Sequence, residues 1–254
     1  MATIKLSAAN TVNSAAIFKQ YWNCWKLSGI GFKQYRLLWR IYDVFINITI
    51  TIGNPLLMCA ALFTQNSVPD LVQNLAIAAS CTVCTVQHYF YRYQLGNIEY
   101  VEDLLSKLDK SVITKDEVQD FKNNSKPGAM RVWNAMFYFG FFSNVFSLIK
   151  VFYSKERQLL HPSLFPFNWQ RSAYLFWFCV FYQFTAVGIQ IIQNFCNDSY
   201  GAMMFCLLAG HVRMLRMRIA SIGQGMLKST EQQEQQLIKC ALDHKLLTEL
   251  VERC

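Results

Sequence analysis

The residue types that could do chemistry are thinly spread along this chain of 254 residues. The four histidines, His88, His161, His211 and His244, share no HExxH or other ligand spacing, and no Ser/His/Asp set or phosphate-cradling glycine loop can be placed. Cys81-x-x-Cys84 has the spacing of a redox or zinc half-site, but it lacks a second ligand pair and falls inside an apolar segment, where two small packing residues are expected. No enzyme, metal site or cofactor is expected. What the chain does offer is rings dotted with polar groups: Phe141, Phe142, Asn144, Phe146 and Ser147 in one apolar stretch, and Tyr174, Trp177, Phe178, Tyr182, Gln183 and Ala186 in another. Such walls with a few polar anchors suit a small apolar ligand. The same rings suit lipid contact or core packing equally well, since aromatics gather at both faces of a bilayer.

The elements that carry these residues are apolar enough to span a membrane. Residues 44–63, 71–91, 132–149 and 173–197 contain no Asp, Glu, Lys or Arg, and about 20 apolar residues cross roughly 30 Å of hydrocarbon as a helix. Charged residues make up 16% of the chain against about 25% in soluble domains. A soluble all-α protein is the alternative, because 71–91 carries Gln73, Asn74, Ser80, Thr82, Thr85, Gln87 and His88. In a polytopic bundle such side chains turn to neighbouring helices or a cavity, as lipid offers no hydrogen-bond partner. The expected fold is therefore an all-α transmembrane bundle. Residues 1–40 form a cytoplasmic arm with an interfacial helix, 41–212 the membrane region and 213–254 a cytoplasmic tail.

Charge fixes the orientation. If all four stretches cross, the arm, the second connection and the tail share one side and hold 20 of the 24 Lys and Arg, leaving 4 for the other two connections. Both ends are then cytoplasmic, which excludes G-protein-coupled receptors with an outer N-terminus. The net charge of +8 follows this orientation rather than a basic stripe, so membrane lipid and not nucleic acid is the expected partner. Phe18, Tyr21, Trp22, Trp25, Phe32, Tyr35 and Trp39, interleaved with six cations in the arm, suit a helix lying at the interface. No cleaved leader is expected, nor any disulfide, because no cysteine falls in an outer connection.

Finer features follow from spacing. Asn54-Pro55 predicts a kink whose freed carbonyl neighbours or water must satisfy. Ile98, Val101, Leu104, Leu105 and Leu108 predict an amphipathic cytoplasmic helix to about Val112. Residues 116–128, with Asn123-Asn124-Ser125 and Pro127-Gly128, read as a loop. The outer connection 154–172 is long enough to fold over something. From Ala173 to Val212 the charge Asp198 stands alone, and one long helix running into the cytoplasm keeps the charge balance better than a second crossing. Ile222-Gly223-Gln224-Gly225 predicts its stop, and Ser229 or Thr230 with Gln232 or Gln233 a capping box for a tail helix.

The order of these features resembles the insect odorant receptors. The likeness rests on Pro166-Phe167-Asn168 before the fourth span, Tyr182-Gln183 within it and Asp198 on the long helix. It continues in His211, Leu215, Arg218-Ile219, Ile222-Gly223, Cys240-Ala241, His244 and Leu247. The resemblance implies seven spans with four present, so that this chain stops before the fifth. It implies an odorant-gated cation channel built with a shared olfactory co-receptor as a hetero-oligomer, probed by small volatile organic ligands at the outer ends of the helices. On that basis Ala76, Ser80, Phe142, Phe146, Phe178, Tyr182 and Ala186 are the expected pocket residues. A gustatory receptor of the same superfamily, or a four-span transporter or scaffold, are the alternatives.

Overall fold

A computed structural model describes residues 12–30, 37–64, 67–112, 114–222 and 230–253. Among these the chain is helical without strands: α1 (Ala15–Leu27), α2 (Leu37–Leu62), α3 (Val68–Tyr93), α4 (Leu95–Ser111), α5 (Lys115–Tyr153), α6 (Ala173–Ile222) and α7 (Thr230–Arg253). The all-α expectation holds. Three helices, α2, α5 and α6, are long and apolar enough to cross a membrane, where the sequence suggested four. The second predicted span, α3, has 26 residues, roughly 39 Å of helix, but its run of Gln, Asn, Ser and Thr lowers its apolarity. The long stretch from Ala173 is one helix of 50 residues, as the charge balance required.

Two compact units form. The span unit comprises Tyr21–Tyr93 and Ala135–Asp198; the charged unit draws on residues up to Gln20, on Gln94–Asn134 and on the chain from Ser199.

The span unit is stitched by polar side chains that the sequence scattered through apolar segments. Before Pro55, α2 widens into a π-helical turn over Asn47–Ile52, because proline has no N–H and its ring crowds the carbonyl one turn back. The carbonyl of Thr51 takes the Thr85 hydroxyl of α3 at 2.6 Å, and that of Thr49 takes the Tyr182 hydroxyl of α6 at 2.5 Å. The predicted rescue of the kink is thus made by two neighbouring helices. Asn54 donates to Gln190 at 2.8 Å, Gln193 to the Thr51 hydroxyl at 2.9 Å, and the Cys84 thiol to the Gln190 carbonyl at 3.2 Å. Cys84 is therefore a packing and hydrogen-bonding residue of the α3 and α6 contact. Asp43 receives Arg92 as a two-pronged pair at 2.7 and 2.5 Å, and Asn47 at 2.7 Å.

The helix of the arm forms, with part of its ring set turned into protein. Phe18, Tyr21 and Trp25 are buried in protein, and Trp25 stacks on the imidazole of His88 with centroids 5.5 Å apart. Apolar rings find protein contact here before lipid. The helix stops at Gly29, whose φ of 89° supports the paired bonds Ile30 N to Trp25 O and Gly29 N to Lys26 O, each 3.1 Å. Phe32 and Tyr35 lie outside the described residues.

In the charged unit α4 buries the predicted stripe, Ile98, Val101, Leu104, Leu105 and Leu108. Residues 116–128 are not a loop. Thr114 and Glu117 close a capping box, Thr114 N to Glu117 at 2.9 Å and Glu117 N to Thr114 at 3.3 Å, and α5 runs on from there. Its π-helical turn at Phe121–Ser125 again precedes a proline, Pro127, so the asparagines and Pro-Gly that looked like a turn sit inside a widened helix. Opposite, Gly210 leaves room for Ser125, with which any Cβ would collide. α6 is described as far as Ile222; the glycines after it, where the stop was expected, and the Ser229 cap lie outside the described residues.

Candidate ligand-binding site

The connection 154–172 folds back over the helix ends of the span unit. Gln183, buried on α6, donates to the His161 carbonyl and to the Ser163 hydroxyl, both at 2.7 Å, while Leu164 N reaches the Leu57 carbonyl at 2.9 Å. Val151, Phe176 and Val180 pack with Leu148, Leu159, Leu160 and Trp169 beneath it. Under this strap lies a polar cavity of about 630 Å³, lined among others by Gln73, Asn74, Lys150, Arg157 and His161. Its ionised rim suits water more than an apolar guest.

A second cavity, about 280 Å³, lies between α5 and α6. Its walls are Phe137, Phe141, Phe184, Ile189, Ile192 and Phe195, with Asn144 and Thr185 as polar members. Phe137 stacks on Phe141 at 6.4 Å and meets Phe195 edge-on at 6.0 Å. Two glycines bring the helices close: a Cβ on Gly140 would stand 2.5 Å from Ile191 Cγ2, and one on Gly188 3.1 Å from Asn144 Nδ2. Small residues at such crossings let membrane helices approach. The volume sits at the small end of ligand pockets, and the lining is the expected kind: apolar walls with few polar groups.

The expected pocket residues distribute over several surfaces. Phe142 and Phe146 fall on the side of α5 turned away from Gly140 and Asn144, since each residue rotates a helix by about 100°, and both are exposed. Phe178 is exposed on α6, and Ala76 and Ser80 are exposed on α3, where the Ser80 hydroxyl returns to the Ala76 carbonyl at 2.8 Å. Tyr182 and Ala186 come together, packed with Ile46 and Ile50 of α2. None of the seven lines either cavity. The aromatic run had pointed to Phe141 and Asn144 as well, and these two do line the groove. The glycines were missed; Gly140 in an aromatic helix, four residues before an asparagine, was the available signal.

In the charged unit, Ser14, Asp109 and His211 meet. Ser14 donates to Asp109 from its N at 2.7 Å and its hydroxyl at 2.8 Å, and His211 Nε2 lies 3.3 Å from that hydroxyl and 3.5 Å from Asp109. This is not a nucleophile with its base: the hydroxyl is spent on the carboxylate directly, and the imidazole does not stand between them. Burial, then the charge of Arg218, pushes His211 down to about 4 against the pull of Asp243, so its contact with Asp109 is not an ion pair at neutral pH. Burial also raises Asp109, opposed by the two Ser14 donors. Nearby Arg218 is clamped by the carboxylates of Glu117 and Asp243. Both networks hold helices together; neither presents a reactive group to solvent.

The sequence model of the 7tm Odorant receptor family matches residues 67–254. The chain belongs to the insect odorant receptor family. The receptor chain is 33% identical over 95% of its length to odorant receptor 33b of Drosophila melanogaster, covering 63% of that protein. It is 28% identical to odorant receptor 59a of the same fly over 94% of its length and 27% identical to odorant receptor 33a over 97%. It spans less than two thirds of each of these relatives. The match places the chain in the odorant receptor family, which is a family of receptors rather than of enzymes. Its motif residues now have physical roles: Tyr182 satisfies a kinked backbone, Gln183 pins the strap 154–172, and Arg218 joins α6 to α5 and α7.

Proposed function

We propose that this chain is the odorant-tuned part of an odorant-gated cation channel that assembles with the olfactory co-receptor in the plasma membrane of sensory neurons. Its N-terminal arm lies in the cytoplasm, where Lys19, Lys26 and Arg40 meet anionic lipid. The observation that carries the reading is the aromatic groove between α5 and α6 with Asn144 in its wall. Family membership and the 20-to-4 division of cations support it. A guest there wedges between two helices held close by glycines, so its binding energy acts on their separation.

The test is current. The product of the gene's full open reading frame, co-expressed with the co-receptor, gives odour-evoked cation current, and Phe141→Ala shifts potency by about tenfold, the scale of a lost aromatic contact. Silence across a broad volatile panel, with surface protein confirmed, overturns the reading. Phe146 and Phe178 lie outside this groove and are proposed as contacts on the odorant's way to it, their alanine variants changing potency with surface protein intact. Tyr182→Ala is expected to lose surface protein as well, because it leaves the Thr49 carbonyl without its partner.

A further inference from the structure

The groove holds one acceptor in want of a donor. Asn144 is 8% exposed, and its Nδ2 donates to the Phe184 carbonyl at 3.2 Å. A carbonyl can only accept, so this bond fixes which end of the amide is which. Gly188 keeps the amide in place, since any larger residue would crowd Nδ2. Asn144 Oδ1 is left buried and has no hydrogen-bond partner. The other polar member, Thr185, is exposed at the groove's edge.

Resting on the reading of this groove as the odorant site, we propose that it selects small apolar alcohols and phenols over ethers, esters and hydrocarbons of the same size. A guest's O–H donates to Asn144 Oδ1, and its oxygen can accept from the Thr185 hydroxyl. A guest without a donor leaves Oδ1 as unpaired as it is in the empty groove and gains nothing there, whereas an O–H adds a hydrogen bond to an acceptor that has none. The aromatic walls bind all of these guests alike, so the discrimination belongs to Asn144.

The probes are phenylethyl alcohol, its methyl ether and propylbenzene, titrated against the purified full-length receptor in lipid nanodiscs. The alcohol is expected to bind about fivefold to tenfold more tightly than the other two, one net hydrogen bond in affinity terms. Asn144→Leu is expected to remove the difference while propylbenzene still binds. Should that variant fail to fold, the ranking of the three probes on the unaltered receptor decides. Equal affinity for all three, or preference for the ether, overturns the inference and leaves the groove a ligand site. Saturable binding of none of them overturns the groove itself as the site, and this inference with it.

Discussion

His211 shows how a single side chain ties this fold to pH. Its imidazole is buried against Asp109, Ser14 and the ring of Phe121 and is held neutral, with its pKa pushed down to about 4. Unfolded, it takes a proton near pH 6.5. Between these values the unfolded chain binds more protons than the folded one, so stability is full above about 6.5 and is lost as the pH falls toward 4. Thermal unfolding of the solubilised protein is therefore expected to drop on acidification from about pH 7.5 to about 5, and His211→Gln to flatten that drop. Asp109, raised by burial, acts in the opposite sense as it takes up its proton, which is why the scan stops above the carboxylate range. A Tm independent of pH over this window would show that the imidazole is not held neutral.

At the scale of elements, a proline inside a helix is twice preceded by a π-helical turn, in α2 and in α5, and in α2 the turn is repaired from outside. In α2 the repair is the Thr85 hydroxyl on the Thr51 carbonyl. Thr85→Val is expected to destabilise the protein by about 1–3 kcal/mol, the cost of a buried acceptor left unpaired. In a Pro55→Ala background, where a backbone N–H returns to that turn, the same change is expected to cost less, and a double-mutant cycle of unfolding free energies measures the coupling. Additive effects would mean that the hydroxyl does not serve the proline's freed carbonyl. In the charged unit Arg218 ties helices through side chains instead. It bridges Glu117 of α5 and Asp243 of α7, a planar fork that a lysine ammonium cannot reproduce.

At the scale of the molecule, α7 carries two apolar faces and only one is covered. Cys240, Leu247 and Leu250 are buried on one side, whereas Ile238 and Leu242, four residues apart and turned away from them, are more than half exposed. On the proposed hetero-oligomer, that open face is where the co-receptor docks. Ile238→Asp with Leu242→Asp is expected to abolish co-purification with the co-receptor at unchanged thermal stability of the chain. The contrasting Leu247→Asp, on the covered face, is expected to unfold it. Normal co-purification of the double variant would remove this face from the interface.

Much of this was legible in the sequence because it depends on local composition. Charge-free segments of membrane length, the stripe from Ile98 to Leu108 and the uninterrupted helix from Ala173 are consequences of residue type and spacing alone, and so is the division of cations that argues for orientation. The family motifs were legible for the same reason. The tertiary structure decided what no local pattern carries: which face of an all-apolar helix meets its neighbour. α5 is ringed with aromatics, so no periodicity singled out the Gly140 and Asn144 side over the Phe142 and Phe146 side. Likewise a Pro-Gly pair reads as a turn until a capping box at Thr114 and a glycine on a distant helix make room for it to stay helical. Those choices are made by contacts between residues far apart in the chain, and the amide of Asn144, fixed by a carbonyl on another helix, is the one on which ligand choice turns.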